Sequence, residues 1–261
     1  MRLYLAATEP SHTALAPLAE QYDVGYLVSY YSLVNNNRAS TDVVKTAQRF
    51  SIPLFLDSGA FSAMTQGAKI DLSAYIDFCL EHADTFDLIA SLDVIGDWRS
   101  TLANHRSMIE AGVESIPTFH VNEPWSALRD LLTTNSYIAL GVAGQQKKRR
   151  QVMAWITRCF KLRQEIAPDC LFHGFGLTSS VVLCFFPWTS VDSTTWQVGR
   201  RFGDLIVVKG RSFSRVHRSL HAGKAYGDVP ELPRSTSNEN YHPTDYYNAE
   251  QLCKLLAGRG Q

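Results

Sequence analysis

Apolar residues along this chain gather in short unbroken runs, each followed by a stretch of helical character. The runs are Leu3–Ala6, Gly25–Tyr30, Leu54–Leu56, Leu88–Leu92, Ser115–Phe119, Tyr137–Gly141, Leu171–Gly174 and Thr189–Val191. Continuous hydrophobicity over so few residues is the mark of a parallel strand covered on both faces. Helices are expected near Ser11–Gln21, Ser40–Phe50, Leu72–Thr85, Trp98–Ala111, Pro124–Leu132, Arg149–Ala167 and Ser179–Phe186. Asp71 and Asn122 read as helix caps, and Pro124 suits a first turn. Eight strands alternating with helices favour a closed (β/α)8 TIM-type barrel over an open doubly wound sheet. Residues 1–210 would form the barrel. Residues 211–261 would be a basic, irregular C-terminal extension, rich in Pro, Ser, Asn and Tyr over Ala225–Asn248. A last short helix around Ala249–Leu256 would dock Leu252, Leu255 and Leu256 on the barrel wall or on a second subunit, which leaves a homodimer open.

Composition agrees with this picture and narrows it. The 261 residues match the roughly 250 of one such barrel. Apolar residues at 45% and charged residues at 19% describe an ordinary globular core. Five cysteines, scattered and without a Cys-x-x-Cys pair, fit reduced thiols in a cytoplasmic protein. No stretch nears the ~20 apolar residues of a membrane span, and no signal segment precedes the first strand. Net charge is zero, so a polyanion would have to be held by a local patch.

The candidate chemistry is positional. Asp57, Asp93, His120 and Asp192 follow predicted strands, and His173 ends one, so their side chains should converge on the C-terminal mouth where barrels of this kind hold their active sites. Any one of these aspartates could simply cap the next helix; all three with two histidines point to a site. The turn Asp57-Ser58-Gly59-Ala60-Phe61-Ser62 places a carboxylate beside an aromatic ring, and the turn Gly141-Val142-Ala143-Gly144 exposes backbone polar groups to a flat ligand. No GxGxxG or P-loop is present. His217 and His221 have helical spacing but lack the glutamate of a zincin motif, so no metal site is expected.

Basic residues concentrate in Lys147, Lys148, Arg149 and Arg150, and again in Arg200, Arg201, Lys209, Arg211 and Arg215. Both groups follow strand ends of the proposed mouth, which suggests a track for a phosphate backbone.

From Leu54 to Gly203 the chain resembles the tRNA-guanine transglycosylase superfamily, closest to its DNA-acting branch in phages and bacterial genomic islands. The resemblance is carried in order by Asp57–Ser62, Ala90–Asp93, Pro117–His120, Tyr137–Gly144, Leu171–Gly176 and Val191-Asp192. Ser62 and His173 depart from the family pattern, and its Cys-x-Cys-x-x-Cys zinc element is absent, so no zinc and no other cofactor is expected. The resemblance implies a pentosyltransferase that exchanges guanine in DNA for a free 7-deazaguanine base through a covalent Asp192–sugar ester. Asp57 would handle the proton and Asp93 would read the guanine edge. Phe61 and His173 would sandwich the ring, with Ser58, Phe119, His120 and the Gly141–Ala143 backbone completing the pocket. The same chemistry on tRNA, or a non-catalytic barrel that binds nucleic acid, are the alternatives.

Overall fold

The computed structural model describes residues 1–6, 12–35, 38–142, 149–177, 179–217 and 243–258. Its strands are β1 (Arg2–Ala6), β2 (Val24–Ser29), β3 (Leu54–Asp57), β4 (Leu88–Ala90), β5 (Ser115–Ile116), β6 (Thr118–His120), β7 (Tyr137–Gly141), β8 (Leu171–Phe175) and β9 (Ser190–Ser193), then a hairpin of β10 (Asp204–Lys209) and β11 (Ser212–His217). The helices are α1 (His12–Gln21), α2 (Tyr30–Val34), α3 (Arg38–Phe50), α4 (Ala60–Thr65), α5 (Leu72–Glu81), α6 (Trp98–Glu110), α7 (Trp125–Thr134), α8 (Arg149–Ile166), α9 (Ser180–Phe185), α10 (Val198–Phe202) and α11 (Pro243–Ala257). The first nine strands pair in parallel in the order β5-β4-β3-β2-β1-β9-β8-β7-β6. β5 and β6 are two pieces of one strand interrupted at Pro117. The first piece pairs with β4 and the second with β7, which closes the ring into an eight-stranded (β/α) barrel. Proline has no N–H for a ladder, so the strand expected at Ser115–Phe119 divides there. The Pro117 carbonyl still accepts from Ala139 N at 2.8 Å.

Alternation along each strand sorts side chains into two cores. Tyr4, Ala6, Leu27, Phe55, Ala90, Ile116 and Ala139 fill the barrel interior, joined by Leu88, Tyr137 and Phe175. Their neighbours one position away, such as Leu5, Leu54, Leu56, Phe119, Phe172 and Val191, pack outward beneath the helices. Each strand therefore looks continuously apolar in sequence while serving two separate cores.

The details differ from the pattern in a few places. Tyr30 opens α2 instead of ending β2, and the strand expected to reach Leu92 ends at Ala90. Asp71 caps α5 by accepting from Ala74 N at 2.8 Å. Asn122 is not a cap: Pro124 takes that position for α7, and Asn122 turns the chain two residues earlier with φ of 81°, a conformation asparagine tolerates better than most residues.

Position 210 falls in the turn of the β10–β11 hairpin. Helix α11 is longer than the pattern suggested and buries Leu252, Leu255 and Leu256 as expected. Asn248, fully buried, locks it to β10 by accepting from Ile206 N at 2.8 Å and donating to the Asp204 carbonyl at 3.1 Å. All five cysteines are free and buried. No helix among the described residues is long and apolar enough to cross a membrane.

Candidate active site

The C-terminal ends of β3, β6 and β9 and the segment after β4 bring Asp57, His120, Asp192 and Asp93 to one mouth of the barrel. Asp57 is the last residue of β3 and points inward, by the same alternation that turns Phe55 inward below it. Burial, followed by the negative fields of Asp93 and Asp192, pushes its carboxyl up to about 7; backbone N–H groups of Gly59 and Ser58 oppose the rise. The Gly59 N–H lies 3.2 Å from Oδ2.

Gly59 is required on two counts. Its φ is 78°, and a Cβ there would come within 2.1 Å of Ser29 Oγ and 2.7 Å of Tyr31 Cβ. Gly59→Ala is expected to cost about 2 kcal/mol and to displace the turn that holds Asp57. Thermal melting with the Asp57 carboxyl resonance checks this, and an unchanged melting temperature would contradict it.

His120 sits between two carboxylates. Nε2 is 3.3 Å from Asp93 Oδ2 and Nδ1 is 3.2 Å from Glu123 Oε1. Burial works against its charge, yet the hydrogen bonds to Asp93 and Glu123 prevail and raise the imidazole to about 10. His120 is thus a fixed cation at neutral pH. Gly141 makes room for it: a Cβ there would lie 2.5 Å from His120 Cδ2. Asp93 Oδ1 is buried without a hydrogen-bond partner among the described residues. Asp93 also lines a cavity of about 530 Å³ whose walls include Ala63, Met64, Ile70, Leu92, Ile95 and Lys69.

Asp192 lies on β9 and is 7% exposed. It accepts from Gly176 N at 2.7 Å and lies 3.4 Å from His173 Nε2. Burial holds His173 below its ordinary value despite that carboxylate, so the imidazole is neutral.

Several expected roles change in the folded chain. His173 is inside the barrel, fully buried, and packs edge-on against Phe55 and Phe175; no face of its ring is open to a ligand. Phe61 is 43% exposed on α4 and does not form a sandwich with it. Phe119 points outward and stacks on Trp155 at 5.6 Å in the helix layer, so it touches no substrate. Ser58 is buried and Gly141 is filled against by His120, while Val142 is half-buried at the rim. Ala143, Lys147, Lys148 and His221 lie outside the described residues, as does the side chain of Arg200. Arg149 and Arg150 open α8 and are exposed; Arg201, Lys209, Arg211 and Arg215 are exposed on α10 and the hairpin. Among the described residues no group of three or more His, Cys, Asp or Glu is placed to hold a metal.

Glu123, Gly176, Ser190 and Tyr137 are the site residues that the sequence pattern passed over. Glu123 stands three residues after His120, close enough in sequence to have been suspected. Ser190 and Tyr137 act from below the mouth and leave no local signal.

No protein-family model matches the chain, and no curated protein matches it. Solved structures do share its barrel. N-acetylneuraminate lyase from Fusobacterium nucleatum aligns over 76% of this chain and 71% of its own, with a TM-score of 0.50 at 11% identity. N-acetylneuraminate lyase from Mycoplasma synoviae aligns over 76% and 70%, with a TM-score of 0.50 at 12% identity. A mutant tryptophan synthase alpha-subunit from Pyrococcus furiosus aligns over 77% and 91%, with a TM-score of 0.47 at 13% identity. The fold class is therefore that of the TIM-type barrels.

The expectation of a guanine transglycosylase is corrected by these findings. The structures that align with a TM-score of 0.50 are named N-acetylneuraminate lyases, not transglycosylases, and the buried His173 and outward Phe119 remove two walls of the base pocket that the resemblance required. Short motifs at barrel strand ends reflect the shared architecture of such mouths, where Asp and Gly serve many chemistries.

Proposed function

We propose that the barrel mouth is the active site of an acid–base enzyme of lyase type, in which Asp57 carries a proton to or from a small polar substrate. The observation that supports this most is the Asp57 carboxyl at about 7 beside Asp93 and Asp192. A group poised near the working pH can both give and take a proton, which is what general acid–base catalysis needs. Asp192 is the neighbouring carboxylate, and His120 with Glu123 holds Asp93 in place. Because carboxylates crowd Asp57, the reacting end of the substrate is neutral or cationic and rich in N–H or O–H donors. An apolar portion would fit the adjoining cavity of about 530 Å³ that Asp93 lines.

The decisive experiment is a carbon-13 titration of the aspartate carboxyls. Asp57 should show a midpoint near 7 that disappears in Asp57→Asn. A parallel incubation in D₂O with small hydroxy- and amino-carbonyl compounds should show deuterium entry or bond cleavage by the wild type alone. A midpoint for Asp57 near the ordinary carboxylate value of 3.8 would end the proposal.

A further inference from the structure

The cavity that Asp93 lines is built from two segments at the barrel mouth. Ala60, Ala63 and Met64 recur at i, i+3 and i+4 and so share one face of α4. The two alanines present little bulk, which leaves the hollow open. Leu92, Val94 and Ile95, between β4 and α6, form a second wall. Asn104 of α6 ties that wall down by donating from Nδ2 to the Leu92 carbonyl at 3.0 Å. Met64, Val94 and Ile95 are nevertheless 46%, 38% and 37% exposed. Three large apolar side chains left in water around one hollow, beside the candidate acid, mark a binding surface better than scattered surface hydrophobics do.

Two charged side chains line the cavity, Asp93 and Lys69. The Asp93 carboxylate has its counter-charge in His120, whose Nε2 lies 3.3 Å away. Lys69 is exposed and has no carboxylate within ion-pair distance among the described residues. Asp71, the nearest acid in sequence, spends its Oδ1 on Ala74 N as the cap of α5. The hollow therefore keeps one unanswered charge, and it is positive.

We propose that this cavity is the specificity subsite of the barrel mouth and takes an apolar arm of the substrate that ends in a carboxylate or similar small anion at Lys69. That the arm belongs to the substrate rests on the acid–base reading above; the binding itself does not. The substrate is then bipolar, with a donor-rich head among the aspartates, hydrocarbon along the cavity and an anion at its exposed end. A volume of about 530 Å³ is that of a small-molecule site, so an arm of about eight carbon atoms fits. Water screens an exposed lysine, so the hydrocarbon provides most of the hold and Lys69 provides the selectivity.

The test follows the methyl resonances of Met64 and Ile95 in carbon-13-labelled protein as octanoate or octanol is added. Both probes should shift these methyls to saturation, with octanoate bound about three- to fivefold more tightly. Lys69→Gln should erase that preference and leave octanol unchanged, and Lys69→Glu should reverse it. Met64→Gln should weaken both probes alike, by about fivefold. Both positions are exposed, so these variants keep the fold. The absence of a saturable shift at Met64 and Ile95 would overturn the proposal. So would equal affinity of the wild type for the two probes, or a preference for octanoate that survives Lys69→Glu. An Asp57 midpoint near 3.8 with probe binding intact would instead remove the acid–base reading and leave the cavity's selectivity standing.

Discussion

Asp57→Asn is expected to lower proton transfer by about 10²–10⁴-fold and, in the same protein, to raise stability at alkaline pH. The sign follows from the carboxyl's shift from 3.8 to about 7 on folding. Below pH 4 both the folded and unfolded states hold the proton, and the group contributes nothing to stability. Between pH 4 and 7 the unfolded chain ionises while the folded one keeps its proton, so stability falls as pH rises. Above pH 7 the full penalty applies, roughly 4 kcal/mol. Asparagine has no charge to bury and keeps an oxygen for the Gly59 N–H. At pH 8.5 the variant should melt about 8–16 °C above the wild type, and at pH 4 the two should coincide. Melting curves that differ by the same amount at both pH values would show that Asp57 is not held above its ordinary range. A site that costs stability in this way follows the general opposition between function and stability.

His120→Gln should act in the opposite direction, with its own pH signature. The imidazole stands at about 10, against an ordinary 6.5, because Asp93 and Glu123 each bond it against the pull of burial. Its stabilising contribution is complete below pH 6.5 and is lost as pH rises through 10. Glutamine at this position leaves two half-buried carboxylates facing one another without a cation, at a cost of about 3 kcal/mol. The loss should therefore be largest near pH 6 and nearly gone by pH 10 to 11, as read by denaturant unfolding across that range. A loss independent of pH would mean that His120 serves by shape alone. Because Asp93 borders the cavity, the variant should also disturb ligand binding there.

On β6 one residue position separates a mouth residue from one in the helix layer. His120 and Phe119 are neighbours on β6, and both were expected to meet a ligand. The pleat sends His120 into the mouth toward Asp93 and sends Phe119 outward onto Trp155. Nothing in an unbroken apolar run tells which parity faces inward, because both faces are buried. His173 fails for a different reason. It has the inward parity but lies too low in the barrel, under Phe55 and Phe175, and depth along the axis depends on how the strands are staggered around the ring. The transglycosylase reading rested on motifs whose order is a property of the barrel as much as of any one chemistry.

The sequence by itself determined the barrel, since eight apolar runs alternating with helices leave few other ways to bury both faces of every strand. It also determined that carboxylates would gather at one end, because residues that follow parallel strands share the same rim. Only the tertiary structure decided which groups touch. The approach of Glu123 and Asp93 to one imidazole, the bond from Gly176 N–H to Asp192, and the proton held on Asp57 all depend on stagger, pleat and burial. These are relations between strands distant in sequence, whereas periodicity records only what lies along one strand.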